Sequence, residues 1–163
     1  MDGTDAYAGP EFVELFEKGD VRRIVANPGY RNGHALAYFM EQFRNLLVWE
    51  DGNVVWLAKA VPRHWLGQGR KISVKNAPTR FGTAAYEIVS DVDRGKIAAT
   101  VEMPSRGAPK SVLLRLRHPK AASIRSVTVN GNPWTSFDPR KELVELKGLT
   151  GHVVVVASYQ TNL

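Results

Sequence analysis

The chain has 163 residues, of which 44% are hydrophobic and 23% are charged, a balance that is typical of one globular domain of moderate size. It contains no cysteine, which excludes disulfide bonds and thiolate metal sites. No apolar run approaches the ~20 residues that a membrane-spanning helix needs, so the sequence predicts no membrane partner.

The net charge of +6 is unevenly distributed along the chain. Residues 52–86 and 103–137 contain no Asp or Glu, and their bases are Lys59, Arg63, Arg70, Lys71, Lys75, Arg80, Arg106, Lys110, Arg115, Arg117, Lys120 and Arg125. Bases in such numbers usually cover solvated strand faces and loops. The alternative is a surface that meets an anionic polymer or an acidic partner. For that alternative the candidate contacts are Arg115, Arg117, Lys120 and Arg125.

The first 45 residues have the character of a helical segment. "MDGTDAYAGP" has neither the basic start nor the apolar centre of a signal peptide, and we expect it to be a tail or the cut end of a larger chain. "PEFVELFEKGD" carries apolar residues at helical spacing, and "HALAYFMEQFRNLL" forms a wide apolar stripe. The sequence predicts that residues 1–45 pack on the domain that follows, or end an upstream helical domain.

From residue 46 onward the apolar runs become short, β-branched and alternating. "KIAATVEM" and "SVLLRLR" each place their apolar residues on one face, and Asn130-Gly131 is a strong turn signal. Turn signals recur every ~8–12 residues, the spacing expected of a sandwich or a barrel. The predicted fold class is therefore mainly β, an antiparallel β-sandwich over residues 46–163 preceded by a short N-terminal helical segment.

The stretch "NLLVWEDGNVVWLAKAVPRHWL" allows two interpretations. Asp51-Gly52 between two apolar runs predicts a β-hairpin. However, Val54 and Trp56 alternate with equally apolar neighbours, so both faces of the second arm are apolar. We therefore favour a junction in which Trp49–Asn53 turn the chain between a helix and a strand that is buried on both faces. In this interpretation Trp49 and Trp56 pack the helices against the sheet.

The residues that carry common catalytic chemistry are not arranged in a recognisable motif. The chain has no glycine-rich phosphate loop, no HExxH and no GxSxG. Its histidines, His34, His64, His118 and His152, lack metal-ligand spacing, so we predict no metal and no cofactor. Glu50 and Asp51 are adjacent, whereas paired catalytic carboxylates face each other across a substrate. The sequence therefore predicts no catalytic residue.

Two tryptophans beside loops are better candidates for binding. Sugar rings present apolar C–H faces that stack on Trp or Tyr, while polar neighbours bind the hydroxyl groups. Trp65 lies in "PRHWLGQGRK" and Trp134 in "NGNPW", and Arg63 and His64 are polar neighbours of the first. These four residues are the candidate carbohydrate-binding site. The alternative is that both tryptophans are core residues with one polar group each.

Three segments together resemble a known group of proteins: "GHALAYFMEQFRNLLVWEDGNVVWLAKAVPRHW", "ISVKNAPTRFGTAAYEI" and "SVTVNGNPWTSFDPRKELVEL". They resemble the carboxyl-terminal region of large bacterial glycoside-hydrolase-like proteins, in which a β-sandwich follows an (α/α)₆-type toroid. The resemblance covers residues 33–159. It implies that the catalytic carboxylates belong to the upstream toroid, so no catalytic residue is transferred to this chain.

The resemblance implies a non-catalytic domain that buttresses an upstream catalytic domain and contacts polysaccharide. The basic segments favour an acidic polysaccharide over a neutral one. One alternative is a stand-alone carbohydrate-binding module. Another is a basic protein that binds an anionic polymer. A complete enzyme is the least favoured reading, and nucleic acid is a disfavoured partner because no RNP, KH or helix-turn-helix pattern is evident.

Overall fold

A computed structural model describes residues 33–104 and 106–160, with side chains from residue 37 onward. The helix predicted in "PEFVELFEKGD" lies outside the described residues. The chain divides into two units, Met1–Arg44 and Asn45–Leu163. The predicted packing of residues 1–45 on the sandwich stays a prediction.

Helix α1 covers Gly33–Leu47, which confirms the helix predicted from the apolar stripe of this segment. Its last carbonyls lie in the second unit, where Leu46 and Leu47 accept hydrogen bonds from the backbone N–H groups of Ala60 and Ala58 at 3.2 and 2.8 Å. The helix therefore leads directly into the first strand.

Two sheets make up the second unit. The five-stranded sheet has the order β1-β2-β6-β10-β9 and the six-stranded sheet the order β3-β4-β5-β11-β7-β8. The strands are β1 Val48–Asp51, β2 Val54–Leu57, β3 Lys71–Thr79, β4 Gly82–Asp91, β5 Lys96–Glu102, β6 Ser111–Arg115, β7 Ile124–Val129, β8 Asn132–Trp134, β9 Phe137–Asp138, β10 Leu143–Leu146 and β11 His152–Tyr159. The described residues form a two-sheet sandwich, which confirms the predicted fold class.

The core lies between the two sheets and follows the alternation seen in the sequence. Buried positions along β5, β6 and the continuation of β6 are Ile97, Ala99, Val101, Val112, Leu114 and Leu116. Each large aliphatic side chain buried in this way contributes about 1.5–3 kcal/mol to folding. The intervening residues of each strand face outward, so one face of each sheet remains available for other contacts.

The β1–β2 hairpin corrects one prediction. Val48–Asp51 form a strand in which Trp49 pairs with Trp56, and Gly52 makes the turn at a φ of +53°. The interpretation of Trp49–Asn53 as a turn between helix and strand was wrong, and the first reading as a hairpin was right. Cross-strand aromatic pairs stabilise such a ladder, so the chain stays extended through Asp51, and the turn is made by Gly52 and Asn53, one residue later than predicted.

The two faces of β2 differ in burial. Val55 and Leu57 are fully buried in the core, whereas Val54 and Trp56 are half-buried on the outer face. Strand β2 also pairs in parallel with β6, while the other strand pairs of both sheets are antiparallel within the described residues. Trp49 and Trp56 therefore lie outside the core between the sheets, whereas the sequence predicted that β2 would be buried on both faces.

Strand β3 is one edge of the six-stranded sheet. Its pairing with β4 is interrupted between Val74 and Ala77, where Asn76 adopts a φ of +53°. Such a bulge leaves extra residues unpaired and increases the local twist. The opposite edge strand is β8.

The connection from β2 to β3 crosses from one sheet to the other, and we call residues 59–70 the crossover. It contains a short 3₁₀ turn, Arg63–Leu66. The turn contacts β3 and carries Trp65, so the crossover places this ring beside the edge of the six-stranded sheet.

A buried ion pair fixes the crossover. Glu142, which is 1% exposed, accepts hydrogen bonds from Arg63 through both carboxylate oxygens, with Nη1–Oε1 at 2.8 Å and Nη2–Oε2 at 2.5 Å. The backbone N–H of His118 donates to the same Oε1 at 2.6 Å, and Arg63 Nη1 donates to the His118 carbonyl, also at 2.6 Å. The hydrogen bond to Glu142 raises the pKa of Arg63, which secures its charge.

Replacing Arg63 with alanine should lower the free energy of unfolding by about 3–5 kcal/mol, because it leaves the Glu142 carboxylate buried with one remaining donor. Urea denaturation measures the change. The double variant Arg63→Met/Glu142→Leu removes both charges together and should recover at least half of the loss. A double variant as unstable as Arg63→Ala would contradict this account.

His118 is a second buried titratable group in the same region. It is 8% exposed, its ring centroid lies 5.0 Å from that of Tyr159, and its Nδ1 accepts the backbone N–H of Lys120 at 3.2 Å. Burial lowers the pKa of His118, and the charges of Arg63 and Lys120 lower it further against the opposing effect of Glu142. The folded protein therefore favours the neutral imidazole.

This lowered pKa predicts a pH-dependent stability. At pH values between the folded pKa of His118 and its unfolded value of about 6.5, the unfolded chain binds more protons than the folded chain. The stability that neutral His118 contributes is therefore present above pH ~6.5 and is lost as the pH falls. The His118→Phe variant, which keeps the ring packing, should lose less stability than the unmodified protein between pH ~7.5 and ~5.5 in urea titrations. The variant of exposed His64, His64→Gln, should keep the original dependence. Equal slopes for His118→Phe and the unmodified protein would contradict the assignment.

Candidate functional site

An open cleft of about 350 Å³ lies beside the edge of the six-stranded sheet. It is lined by Trp65 from the 3₁₀ turn, Arg70 from the end of the crossover, and Lys71 and Ile72 from β3. The cleft therefore combines one large aromatic ring, one aliphatic side chain and two cations.

Backbone hydrogen bonds hold the crossover in place around the cleft. Trp65 N–H donates to the Pro62 carbonyl at 3.0 Å, which closes the 3₁₀ turn. The buried Ser90 hydroxyl donates to the Leu66 carbonyl at 2.7 Å, and the Ser90 backbone exchanges hydrogen bonds with Gly69 and Arg70 at 2.9 and 3.0 Å. Strand β4, which carries Ser90, thus positions the loop that presents the ring and the guanidinium.

The two cations of the cleft differ in their contacts. Lys71 Nζ forms an exposed ion pair with Glu87 Oε2 at 2.7 Å. The exposed Arg70 guanidinium makes no hydrogen bond or ion pair with another described residue. Its side chain lies over Gly67, where an added Cβ would be 3.6 Å from the Arg70 Cδ and Nε atoms. Arg70 is therefore the cation of the cleft whose donors remain open to a ligand.

The lining residues bring together an aromatic ring and cations. None of the four lining residues is acidic, whereas glycoside hydrolysis usually needs two carboxylates on either side of the bond. A guanidinium binds a carboxylate through two parallel hydrogen bonds, and an aromatic face accepts the apolar face of a ring. The cleft therefore offers both an aromatic face and the parallel donors of a guanidinium.

The structure places the predicted carbohydrate-binding residues in different environments. His64 is exposed, and its ring is edge-on to Trp65 with centroids 6.5 Å apart. Arg63 lies in the same turn, but its guanidinium is bound to Glu142 and to the His118 carbonyl. Of the predicted set, Trp65 is the one residue that lines the cleft.

Trp134 lies apart from this group. It belongs to β8, the edge strand opposite β3, and five strand spacings of about 4.8 Å separate those edges by about 24 Å. Its ring is half-buried, and Nε1 donates to the Glu145 carbonyl at 3.0 Å. The two tryptophans therefore do not form one site.

The predicted anionic-partner contacts are also divided. Arg115 and Arg117 lie on the outer face of the five-stranded sheet, since they alternate with buried Leu114 and Leu116. Arg125 is exposed on β7 of the other sheet. Lys120 is exposed in the loop that precedes β7. The four residues therefore do not lie on one strand face, since Arg125 belongs to the other sheet.

Sequence reasoning missed Arg70 and Lys71 as members of the cleft. The signal was present in "WLGQGRK", where two glycines bring the chain back within a few residues of Trp65. Gly69 adopts a φ of +69°, a conformation that favours glycine, and it supports the tight return. The missing information was the position of β3 beside the turn.

A second aromatic group lies on the outer face of the five-stranded sheet. The rings of Trp49 and Trp56 are paired across β1 and β2, and Lys59 Nζ lies 4.6 and 5.0 Å from their centroids. The ammonium is thus attracted by both ring faces. The Trp49 Nε1–H is buried and has no hydrogen-bond partner.

Comparison with known proteins shows a distant likeness to solved structures. No family model matches the chain, and no curated protein matches it. A solved structure titled "Glycoside hydrolase" is similar to 78% of this chain, with a TM-score of 0.46 and 16% sequence identity. This chain spans 19% of the length of that structure.

The described residues contain neither a metal-binding cluster nor a membrane-crossing helix. No three His, Asp or Glu side chains there form a group that could hold a metal ion. Among the same residues, α1 falls short of the length and hydropathy that a membrane-crossing helix requires.

The contact between Lys59 and the paired rings should be measurable as a coupling energy. In a double-mutant cycle with Lys59→Met and Trp56→Leu, we expect about 0.5–1 kcal/mol of coupling in the free energy of unfolding. Urea denaturation of the four proteins gives the value. Pairing Trp56→Leu with Lys120→Met, which removes an exposed ammonium elsewhere, should give no coupling. A zero coupling for Lys59 would show that its charge does not act on the rings.

Proposed function

We propose that residues 45–163 form a non-catalytic domain of a carbohydrate-active protein, and that this domain binds polysaccharide in the cleft of Trp65, Arg70 and Lys71. The observation that carries the proposal is the presence of an aromatic ring and an uncommitted guanidinium in one cleft. The ring stacks on the apolar face of a sugar, and the cation binds an acidic group or a hydroxyl oxygen of it.

The way the cleft is held supports a binding role. The Arg63–Glu142 pair fixes one end of the 3₁₀ turn, and the Ser90 hydroxyl fixes the other. A preformed site loses little conformational entropy when a ligand binds, so modest contacts give useful affinity. The absence of an acid from the lining agrees with a domain that positions a substrate for chemistry performed elsewhere.

The resemblance of residues 33–159 to the carboxyl-terminal part of glycoside-hydrolase-like proteins supports the carbohydrate-active setting. In this proposal the partner is an upstream catalytic domain of a larger chain, which the sandwich buttresses. Coding sequence for a helical toroid directly upstream would agree with this role. A stand-alone carbohydrate-binding module is the alternative, and it would use the same cleft.

Affinity electrophoresis against neutral and acidic polysaccharides tests the cleft. Polygalacturonate, alginate and a neutral β-glucan serve as the panel. We expect Trp65→Ala and Arg70→Gln each to lower the apparent affinity, derived from the retardation, about tenfold. This is the loss that follows when a stacking ring or a charge-assisted hydrogen bond is removed.

The chain offers a matched control for each variant. Trp134→Ala truncates a half-buried tryptophan at the opposite sheet edge, and Arg125→Gln removes an exposed arginine from β7. Both should keep the original retardation. Absence of retardation by every polysaccharide, or an equal loss in the control variants, would overturn the proposed function. Arg70 is exposed, so Arg70→Gln keeps the test valid if Trp65→Ala fails to fold.

A further inference from the structure

The crossover and β6 bring several cations together outside the cleft. Arg115 Nη1 donates to the Lys59 carbonyl at 3.1 Å, and Arg117 Nη1 donates to the Val61 carbonyl at 3.1 Å. These bonds attach the crossover to the end of β6. They also bring the positive charges of Lys59, Arg115 and Arg117 to one side of the five-stranded sheet, and we call these three residues the basic face.

The basic face adjoins aromatic surface. Trp56 pairs with Leu113 in the parallel register of β2 and β6, so the two side chains share the outer face. Arg115 lies two residues beyond Leu113 on that face, and the Lys59 ammonium lies over the ring of Trp56. This arrangement repeats the combination found in the cleft, a tryptophan beside cations.

The acids beside the basic face are paired with other groups. Glu145, which lies opposite Leu113, binds Lys147, and Asp138 on the neighbouring strand binds Lys141. Glu142 acts on Arg117, but both of its oxygens are already bound by Arg63. The Arg117 Nε–H is buried and donates to no acceptor. Burial lowers the pKa of Arg117, and the charges of Arg115 and Arg63 lower it further, as expected for cations gathered without enough counter-charge. An anion placed against this face would relieve the repulsion.

The basic face is connected to the cleft through the crossover. Arg63, whose charge acts on Arg117, belongs to the same 3₁₀ turn as Trp65. Trp65 in turn lines the cleft with Arg70. Lys59, Arg63 and Arg70 thus belong to the crossover, which runs from β2 of the five-stranded sheet to β3 of the six-stranded sheet, and the side chains of Arg115 and Arg117 are bonded to its first residues.

We propose that the ligand is a polyanionic polysaccharide chain which binds the cleft with one acidic sugar and extends along the crossover to place further acidic groups on Lys59, Arg115 and Arg117. This inference rests on the proposed function, because it takes the cleft as the first contact. A regular carboxylate or sulfate on successive sugars matches a series of cations better than a single charged sugar does. Arginine is suited to these groups because its planar donors bind two oxygens at once.

The number of sugars needed for full affinity tests the inference. Calorimetric titration compares galacturonic acid, a short galacturonate oligomer and polygalacturonate on the folded chain. We expect Arg70→Gln to weaken the binding of all three. The variants Arg115→Gln and Lys59→Gln should weaken only polygalacturonate, by about fivefold each, and should reduce its salt dependence.

Controls separate this inference from general charge attraction. Arg106→Gln, at the end of β3 away from the cleft, and Arg125→Gln on β7 each remove one exposed base outside the basic face and should leave the affinity for polygalacturonate unchanged. Urea denaturation verifies that each variant is folded, and Lys59→Gln serves if Arg115→Gln is not, since the Arg115 side chain bonds two carbonyls.

The possible outcomes distinguish the two proposals. If Arg70→Gln weakens binding but Arg115→Gln and Lys59→Gln do not, the extended path is wrong and the cleft remains. If the control variants lose as much affinity as Arg115→Gln, the extended path is also wrong, because net charge alone explains the binding. If none of the three ligands binds the unmodified protein, the proposed acidic ligand fails. If the neutral β-glucan still retards the protein in affinity electrophoresis, the cleft remains the proposed site but for a neutral sugar.

Discussion

The position of the crossover depends on the carboxylate of Glu142. A buried charge is costly unless hydrogen bonds replace the water that it loses, and here three donors do so, two from Arg63 and one from the His118 backbone. These donors come from separate parts of the chain, so the bonds form together only when the crossover, the end of β6 and the start of β10 have assembled. Desolvation offsets much of the Coulomb attraction of such a pair, and its main effect is to select one arrangement of these segments.

That arrangement has a direct effect on the cleft. Arg63 and Trp65 are two residues apart in one 3₁₀ turn, so the ion pair that orients the first also orients the second. Arg63, which the sequence predicted as a sugar contact, is instead bound to Glu142 and positions Trp65 through the backbone of the turn. The residue that takes its place in the cleft is Arg70, which the hydrogen bonds of Ser90 hold at the end of the same crossover.

Local patterns in the sequence were sufficient for the strands and for several turns. Alternation along "KIAATVEM" and "SVLLRLR" identified the buried faces of β5 and β6, and Asn130-Gly131 forms the turn between β7 and β8 as predicted. The β1 strand was misread because residues that are apolar on both faces do not reveal whether a strand or a helix end contains them.

Features that depend on distant parts of the chain could not be predicted in this way. Glu142 looks like an ordinary surface acid in "DPRKELVEL", and its partner lies 79 residues away. The parallel pairing of β2 with β6 brings Arg115 and Arg117 to Lys59 and Val61, yet nothing local specifies that register. Trp65 could be proposed as a binding residue because it lies beside a loop in the sequence. That Arg70 lines the same cleft became visible only from the position of β3.

The bulge in β3 has a consequence for association between molecules. An edge strand offers unpaired backbone groups to any other extended chain, and regular edges promote aggregation. In β3 the pairing is interrupted at Asn76, and Pro78 has no N–H to donate. Lys71 and Lys75 add charge to the part of the strand that precedes the interruption. A second protein strand would find few consecutive partners here, so the edge that borders the cleft is protected against sheet extension and stays accessible to a non-protein chain.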